Sequence, residues 1–242
     1  MWLVAEYQPV TLFSFRSGLA TSSGAKTLFL PTPFAIRTAL LDVAIRTEGL
    51  AAGHRIFDAI KRLSIAVRPP ERVMVTNLFA KILKPTRKDE PDEPMDRSIA
   101  FREYAQLGGT LALAFGMAEA WVTELQALLV QVNYFGKRGC FFQLMGVPEE
   151  LDDLPAGFVP LNGVYLQGDQ VQGLTPNQFV AGIIQMMDDW GDTLTFEKAN
   201  IYSDEKIELG KDRVRKSVIL PYRLVRASRS YSYYERIDCE SQ

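Results

Sequence analysis

Residues 101–140, FREYAQLGGTLALAFGMAEAWVTELQALLVQVNYFGKRGC, pass from a strand pattern to a helix pattern and end in a basic turn flanked by glycines. TLALAFG is a short apolar run after two glycines, which predicts a strand. AEAWVTELQALLVQV predicts an amphipathic helix, because its apolar residues recur at helical spacing. The residues of that apolar face are Trp121, Leu125, Leu128, Leu129 and Val132. The basic turn, NYFGKRGC, lies at the C-terminal end of this helix.

The chain upstream shows the same mixture of strands and helices. The residues up to Arg16 alternate as strand residues do, and Pro33 can occupy the first turn of a helix that Gly49 is predicted to end. A second, shorter helix is predicted over residues 54–63. SIAVR and RVMVTNLFAKIL, separated by two prolines, predict two further strands.

The segment KPTRKDEPDEPMDRS, residues 84–98, is rich in charge and proline and has no hydrophobic face. It predicts a solvated loop or the tip of a projecting hairpin. The order of elements is therefore strand, helix, strands, hairpin, strand, helix. We predict an α+β fold in which residues 1–145 form a ferredoxin-like βαββαβ domain, with helices covering one face of the sheet.

The last hundred residues are less regular. NQFVAGIIQMMDDW, residues 177–190, is predicted to be a helix, and residues 201–227 are predicted to form strands joined by a turn at Gly210. We expect residues 146–242 to form a smaller, β-rich C-terminal region.

Composition limits the cellular setting and the chemistry. An apolar content of 47% in 242 residues is enough to bury a substantial core. No apolar run approaches the length of a transmembrane helix, and the N-terminus is expected to stay in the mature protein as a strand. Cys140, Cys239 and the single histidine are too few for a disulfide framework or a zinc site. We expect a cytoplasmic protein with no membrane contact, metal or other cofactor.

The net charge of −2 conceals an uneven distribution. Residues 147–205 contain eleven acidic residues and one basic residue, whereas residues 206–236 contain nine basic and three acidic residues. Two arrangements are open. The chain can present basic surfaces to a polyanion while its acidic part faces elsewhere, or the charges can mix evenly in three dimensions.

Catalytic candidates are few. His54, near the start of a short helix, is expected to be a surface or capping residue. The acidic pairs 152–153 and 188–189 are expected to be acidic surface, because adjacent side chains diverge on a strand or a helix. The chain contains no Walker A loop and no dinucleotide-binding glycine motif after a strand.

Binding candidates are more numerous. Arginine pairs with phosphate oxygens, and aromatic rings offer faces to unstacked bases. In RLVRASRSYSYYERI, residues 223–237, three arginines precede three tyrosines. These tyrosines can stack on bases or can pack on their own sheet, and both interpretations stay open.

The basic turn has two interpretations as well. Gly136 and Gly139 permit positive φ angles, so the turn amides can converge on a phosphate while Lys137 and Arg138 add charge. The C-terminus of a helix is the unfavourable end for an anion, however, and it would favour the cations themselves. The turn is thus either an anion cradle or a solvated basic turn.

The order of these motifs resembles the Cas-five family of CRISPR-associated proteins. FREYAQLGGTLALAF resembles the arginine–glutamate–tyrosine turn and following strand of that family, and NYFGKRGC is similar to its glycine-rich basic loop after the second helix. FSFR followed by LPTPFAIRTALL resembles the entry into its first helix. Residues 81–102 fall where the family carries a protruding thumb hairpin. The resemblance covers residues 1–145.

The resemblance implies an RRM/RAMP-type subunit of a type I CRISPR surveillance complex, Cascade, which serves antiviral defence. Such a subunit is non-catalytic, caps the 5′ handle of the crRNA, and contacts the large subunit and the first backbone subunit. Target DNA is reached through the complex, since guide pairing reads its sequence. The residues predicted to bind RNA are Arg16, Lys26, Arg37, Lys81, Lys84, Arg97, Arg102, Tyr104, Asn133, Tyr134, Phe135, Gly136, Lys137, Arg138 and Gly139.

Two alternatives differ in chemistry. One branch of the family cleaves repeat RNA without a metal, using a tyrosine, a lysine and a histidine. This chain departs from that pattern, because His54 precedes the hairpin and lies among helix-like residues. The second alternative is a small-molecule enzyme with an anion site at Lys137 and Arg138, for which the sequence shows no cofactor or nucleophile motif.

Overall fold

The computed structural model describes residues 1–18, 20–21, 24–85, 95–161, 165–167, 170–172 and 181–237. Its N-terminal elements are β1 (Trp2–Pro9), β2 (Phe15–Arg16), β3 (Gly24–Ala25), β4 (Thr27–Leu28), α1 (Pro33–Glu48), α2 (Leu50–Arg62), β5 (Ser64–Arg68), β6 (Arg72–Pro85), β7 (Met95–Gly108), β8 (Leu111–Gly116), a 3-10 turn (Glu119–Trp121), α3 (Val122–Leu129) and β9 (Phe142–Leu144). The later elements are β10 (Glu149–Leu151), β11 (Val159–Pro160), β12 (Tyr165–Gln167), β13 (Gln170–Gln172), β14 (Ile183–Trp190), α4 (Phe196–Ala199), β15 (Arg213–Leu220), β16 (Tyr222–Ala227) and β17 (Tyr231–Arg236). Helices and strands both contribute, so the α+β prediction is confirmed at this level.

The first sheet has six strands in the order β10-β1-β8-β5-β11, and β9 pairs with β1 beside β10. The pairs Leu3–Phe115 and Ala5–Leu113 place these side chains on one face, because directly opposed residues share a face. That face is buried in one cluster with Leu40 of α1 and other helix residues. The helices therefore cover one face of this sheet, as predicted.

The capping residues of α1 explain its bounds. The Thr32 hydroxyl accepts a hydrogen bond from the Ala35 N–H at 3.2 Å, and Pro33 occupies the first turn. Gly49, with φ of 88°, ends α1 and directly precedes α2. Consequently α2 begins at Leu50, four residues before its predicted start, because one left-handed glycine suffices to turn the chain.

A buried arginine joins three elements. The Arg37 side chain on α1 is 5% exposed, and its Nε donates to Asp189 of β14 at 2.9 Å. The same guanidinium donates to the carbonyls of Ile60 and Leu63, where α2 ends, so it caps that helix. The prediction that Arg37 binds RNA is wrong, because its side chain lies in the core and its donors are used internally.

The predicted projecting hairpin is formed by the two longest strands. β6 and β7 pair without interruption from Arg72–Gly108 to Pro85–Met95. The connecting residues 86–94 lie outside the described part of the chain. The base of the hairpin belongs to a second sheet with five strands in the order β16-β17-β6-β7-β3.

Residues 183–190 form a strand, so the predicted helix over 177–190 is wrong for this part, and residues 177–180 lie outside the described residues. Gln185, Met187 and Asp189 are buried and their neighbours are more exposed, which is the two-residue period of a strand. The turn at Gly210 leads into β15, but no strand precedes it within residues 201–208. The C-terminal region is rich in strands, and Met187 shares a core with the N-terminal region.

The acidic pair at 188–189 was predicted to be acidic surface, and this prediction is wrong. Asp188 pairs with Arg213, and the buried Asp189 pairs with Arg37 and Lys216. At this point the acidic segment folds against the basic one, so the charges are mixed in three dimensions. No helix among the described residues is long and apolar enough to span a membrane.

A second buried carboxylate closes the turn before β15. Asp212 accepts hydrogen bonds from Lys198 Nζ at 2.8 Å, from the Thr193 hydroxyl at 2.7 Å and from the Glu208 N–H at 2.9 Å. Together these donors lower the pKa of Asp212 to about 2, and the hydrogen bond from Lys198 is the largest cause of this shift.

We expect Arg37→Met to lower the free energy of unfolding by about 3–5 kcal/mol, because it leaves the Asp189 carboxylate buried without its main partner. Urea denaturation measures this loss. Arg46→Met, on the same helix but half-exposed, is the control and should cost under about 1 kcal/mol. Equal losses in the two variants would contradict the structural role of Arg37.

We expect Asp212→Asn to lower the melting temperature at neutral pH but not near pH 2. Because the native pKa of Asp212 is about 2 and its ordinary value is 3.8, ionisation stabilises the native state above pH 4. That contribution disappears as the pH falls through the native pKa. Melting curves of both proteins between pH 6 and pH 2 measure the difference. A difference that stays constant with pH would contradict the assignment.

Candidate nucleic-acid interface

Residues 136–139 form a tight turn that leaves its backbone accessible. The Cys140 N–H donates to the Lys137 carbonyl at 3.0 Å and closes the turn. Gly136 and Gly139 have φ angles of 65° and 97°, the left-handed region that favours glycine. Within the described part of the chain, no protein acceptor is found for the four amides of the turn. These amides are therefore free to face a ligand.

Two buried side chains anchor this turn. Phe135 is 1% exposed, and its ring centroid lies 5.2 Å from those of Tyr7 and Phe142. Cys140, at the other end, is also buried. The prediction that Phe135 binds RNA is wrong, because its side chain lies in the core and holds the turn in place.

The turn lies beside the first turn of α1. A β-carbon placed on Gly136 would be 3.6 Å from Cβ of Ala35 and 3.5 Å from the Phe15 ring. Although the turn follows α3 in sequence, the helix end that it approaches is thus the positive N-terminus of a 16-residue helix with no acidic residue in its first turn. The dipole of α1 therefore favours an anion at this turn, whereas the sequence predicted an unfavourable dipole from the helix that precedes the turn.

Some of the polar and charged side chains around the turn have partners in the protein, and Lys137 has no carboxylate partner among the described residues. The Tyr134 hydroxyl donates to Asp42 Oδ2 at 3.1 Å, and Asp42 also lies 3.6 Å from Arg46. Partial burial and the Asp42 charge raise the pKa of Tyr134, while the nearby Arg138 opposes this. Lys137 is exposed and has no carboxylate partner among the described residues.

A groove of about 620 Å³ opens next to this region. Arg16 and Gly18 line one side, and Arg213 and Arg215 of β15 line the other. Arg215 donates to the Gly18 carbonyl at 3.0 Å, which holds the two sides together. Asp188 also lines the groove and pairs with Arg213, so the three arginines leave it with a net positive charge.

The groove and the turn meet at α1. The Arg213 guanidinium lies 4.2 Å from the centre of the Phe34 ring, in the first turn of α1, while it also pairs with Asp188. Phe34 is the neighbour of Ala35, which approaches Gly136. The two basic features therefore flank the same helix terminus.

Sequence reasoning did not select Arg213 or Arg215, although the sequence contains a signal for both. RVRKSVIL has its first two arginines two residues apart, and in a strand this spacing places both on one face. Their proximity to Arg16, nearly 200 residues away in sequence, could not be predicted because it depends on the tertiary structure.

The hairpin has one exposed face of mixed character. Phe79 and Phe101 are opposite each other with ring centroids 5.3 Å apart, and both are about half exposed. Leu83 and Ile99 are more than half exposed. Lys81 is opposite Ile99, and Arg97 is opposite Leu83, so two predicted cations share this face. The side chain of Lys84 is outside the described set; its backbone pairs with Asp96.

The predicted residues thus separate by exposure. The exposed ones are Arg16, Lys26, Lys81, Arg97, Asn133, Gly136, Lys137, Arg138 and Gly139. Arg102, Tyr104 and Tyr134 are half-buried. Lys26 is already paired with the buried carboxylate of Glu103, which also accepts from the Thr27 N–H at 3.0 Å. A phosphate at Lys26 would have to compete with that pair.

The only histidine of the sequence contacts α4. His54 lies on α2, with its ring edge-on to Phe196 and its Nε2 3.9 Å from Glu197. Among the described residues, no group of three or more histidine, cysteine, aspartate and glutamate side chains could hold a metal ion. His54 is a surface residue, as predicted.

No family model matches the chain. A curated CRISPR-associated protein Cas5 from Archaeoglobus fulgidus is 28% identical over 136 residues, which are 56% of this chain and 56% of that protein. The chain thus aligns with about half the length of the curated relative that it matches.

Two solved structures are similar at low identity. A CRISPR protein from Archaeoglobus fulgidus aligns with 98% of this chain and 92% of its own length, with 11% identity and a TM-score of 0.41. A chain titled CRISPR RNA-guided surveillance complex aligns with 90% of this chain and 87% of its own, with 15% identity and a TM-score of 0.47. These scores are too low to support an argument about the fold.

The sequence match agrees with the motifs and their order. The chain is similar to a CRISPR-associated Cas5 protein over 136 residues, and the resemblance predicted from its motifs is confirmed.

Proposed function

We propose that this chain is a non-catalytic RNA-binding subunit of a type I CRISPR surveillance complex, Cascade, in which it caps the 5′ handle of the crRNA. The observation that carries this proposal is the exposed turn at residues 136–139. Its amides, Lys137 and Arg138 face outward beside the N-terminus of α1, while Phe135 and Cys140 hold it in place. Antiviral defence is the biological role that follows.

The strand order supports a ferredoxin-like βαββαβ unit of the RRM/RAMP type. β1 lies between β8 and the short strands β9 and β10, and β5 is next to β8. α1 and α2 connect β1 to β5, and α3 connects β8 to β9. The hairpin of β6 and β7 is inserted between β5 and β8, the place of a thumb.

The chemistry of the turn suits an RNA backbone. Phosphate oxygens accept hydrogen bonds from free amides and from lysine and arginine, and the positive end of α1 favours them further. Arg16, Arg213 and Arg215 extend the basic surface into the adjoining groove. A single strand can follow such a surface because its backbone bends easily.

The hairpin supports a second part of the proposal, contact with other subunits. Its exposed phenylalanines and aliphatic side chains form an apolar stripe of the kind that marks an interaction surface. We assign this stripe to assembly with the first backbone subunit and with the large subunit, and we assign Lys81 and Arg97, on the same face, to the guide where it runs beside those subunits. Target DNA then meets the guide through the complex, in the cytoplasm.

Repeat-RNA cleavage is the alternative, and the turn does not favour it. Tyr134 is the phenol nearest to the turn cations, and its raised pKa keeps it protonated and bound to Asp42. A protonated phenol is a poor general base. His54, packed on Phe196, belongs to a different surface.

We expect Lys137→Ala with Arg138→Ala to weaken binding of RNA with an intact 5′ handle by roughly 10- to 100-fold, because two phosphate contacts are lost. The slope of log K against log salt should fall by ~1.4, from ~0.7 for each phosphate contact on a single strand. Fluorescence anisotropy at several salt concentrations measures both quantities.

The control is Arg55→Ala with Arg62→Ala, which removes the same charge from exposed positions of α2. It should leave handle affinity within about twofold. Equal losses in both double variants, or binding that ignores a scrambled handle, would overturn the proposal for the turn.

We expect the purified protein to leave repeat RNA intact in EDTA, because Tyr134 beside the turn stays protonated and His54 packs on Phe196. Gel analysis of labelled repeat RNA over several hours measures this. Site-specific cuts that disappear with Tyr134→Phe would establish the endoribonuclease instead.

A further inference from the structure

The outer face of the second sheet carries tyrosines from two strands. Tyr104 of β7 and Tyr231 of β17 are both opposite Thr76 of β6, so the three residues form one row across the sheet. Tyr233 is opposite Met74 and lies two residues from Tyr231. Directly opposed and alternate residues share a face, so all three tyrosines point to the same side.

A neighbouring tyrosine defines the opposite, buried side. Tyr234 is opposite Val73, and its ring centroid lies 4.7 Å from that of Phe29 in the core. The two interpretations of the tyrosine-rich segment therefore apply to different residues. All three tyrosines are half-buried, but Tyr234 packs against the core, whereas Tyr231 and Tyr233 lie on the outer face.

Cations lie on the same outer face. Arg226 is opposite Tyr233, Arg102 is two residues from Tyr104, and Arg72 is two residues from Met74. Within the described residues, none of these three arginines has a carboxylate within ion-pair distance. Glu235 is opposite Arg72 and partly balances its charge, whereas Arg226 is opposite Tyr233 and Arg102 is opposite Leu78.

The acidic side chains near this face already have partners in the protein. Glu235 of β17 lies 3.5 Å from Arg223 and accepts from the Tyr233 hydroxyl at 3.3 Å. Glu103 belongs to the opposite side of β7, where it pairs with Lys26. The outer face thus combines half-exposed aromatic rings with an excess of positive charge.

We infer that this outer face is a stacking platform for single-stranded nucleic acid, separate from the turn at residues 136–139. Bases stack on Tyr231 and Tyr233, which are ~7 Å apart along their strand, and Tyr104 offers a third ring. Phosphates meet Arg226, Arg102 and Arg72. Every base has a π-face, so such a platform binds without reading sequence.

A single strand suits the face better than a protein does. The rings here alternate with arginines, and an arginine forms bidentate contacts with phosphate. The larger aliphatic surface lies on the other side of the hairpin arms, at Leu83 and Ile99, while the outer face exposes Leu78 opposite Arg102. Charge complementarity therefore selects a polyanion.

The test uses the full chain and labelled oligonucleotides that lack the 5′ handle, oligo-uridine and oligo-thymidine. Tyr231→Ala with Tyr233→Ala should weaken binding of both at least about tenfold, whereas Tyr231→Phe with Tyr233→Phe should stay within about threefold, because the ring is kept. Arg226→Gln should lower the salt slope by ~0.7. Preferred binding of oligo-uridine would identify RNA as the ligand, preferred binding of oligo-thymidine would identify DNA, and equal binding would show that the face accepts either single strand.

The turn variant separates this inference from the proposed function. Lys137→Ala with Arg138→Ala should leave handle-free binding within about twofold, so either site can fail alone. Photocrosslinking of the wild-type protein to the oligonucleotide should label the peptide that contains Tyr231 and Tyr233. This measurement uses no variant, so it does not depend on whether a substituted protein folds. Three results would overturn the inference. The peptide could stay unlabelled, the alanine variants could bind the oligonucleotides as the wild type does, or those variants could lose binding to a protein subunit and keep binding to the oligonucleotides.

Discussion

The buried pair between Arg37 and Asp189 sets the position of the parts that matter for binding. An ion pair in the core is tolerated only when its remaining donors are satisfied, and Arg37 uses them on the last carbonyls of α2. One side chain thus fixes α1 against α2 and against β14, although β14 is 150 residues away in sequence. With α1 held in this way, its first turn is placed between the basic turn and the arginine groove.

That helix terminus concentrates positive potential from independent sources. The amides of the turn, the dipole of α1 and the groove arginines come from separated parts of the chain, and each alone would be an ordinary surface feature. Their proximity matters because electrostatic attraction adds over nearby charges and falls off within about a Debye length. The tyrosine face of the second sheet depends on the C-terminal hairpin in the same way, since β17 pairs with β6 only in the folded chain.

Local patterns predicted local structure well. The apolar face of α3, the proline and glycine that bound α1, and the long hairpin arms were all readable because each depends on neighbouring residues. The segment IIQMMDDW was misread because a short apolar run fits either period, and its burial is set by α1. Arg37 was misread because an arginine on a helix gives no sign of which carboxylate it will meet.

The sequence by itself determined the order of the main strands and helices as far as α3, the glycine-flanked basic turn and the family resemblance, since these follow from spacing along the chain. Only the tertiary structure decided which helix terminus the turn approaches, that Arg213 and Arg215 converge with Arg16, and which tyrosines face outward. The physical reason is that these properties depend on pairing and burial between residues far apart in sequence, and strand register, not composition, selects the side on which each ring and charge lies.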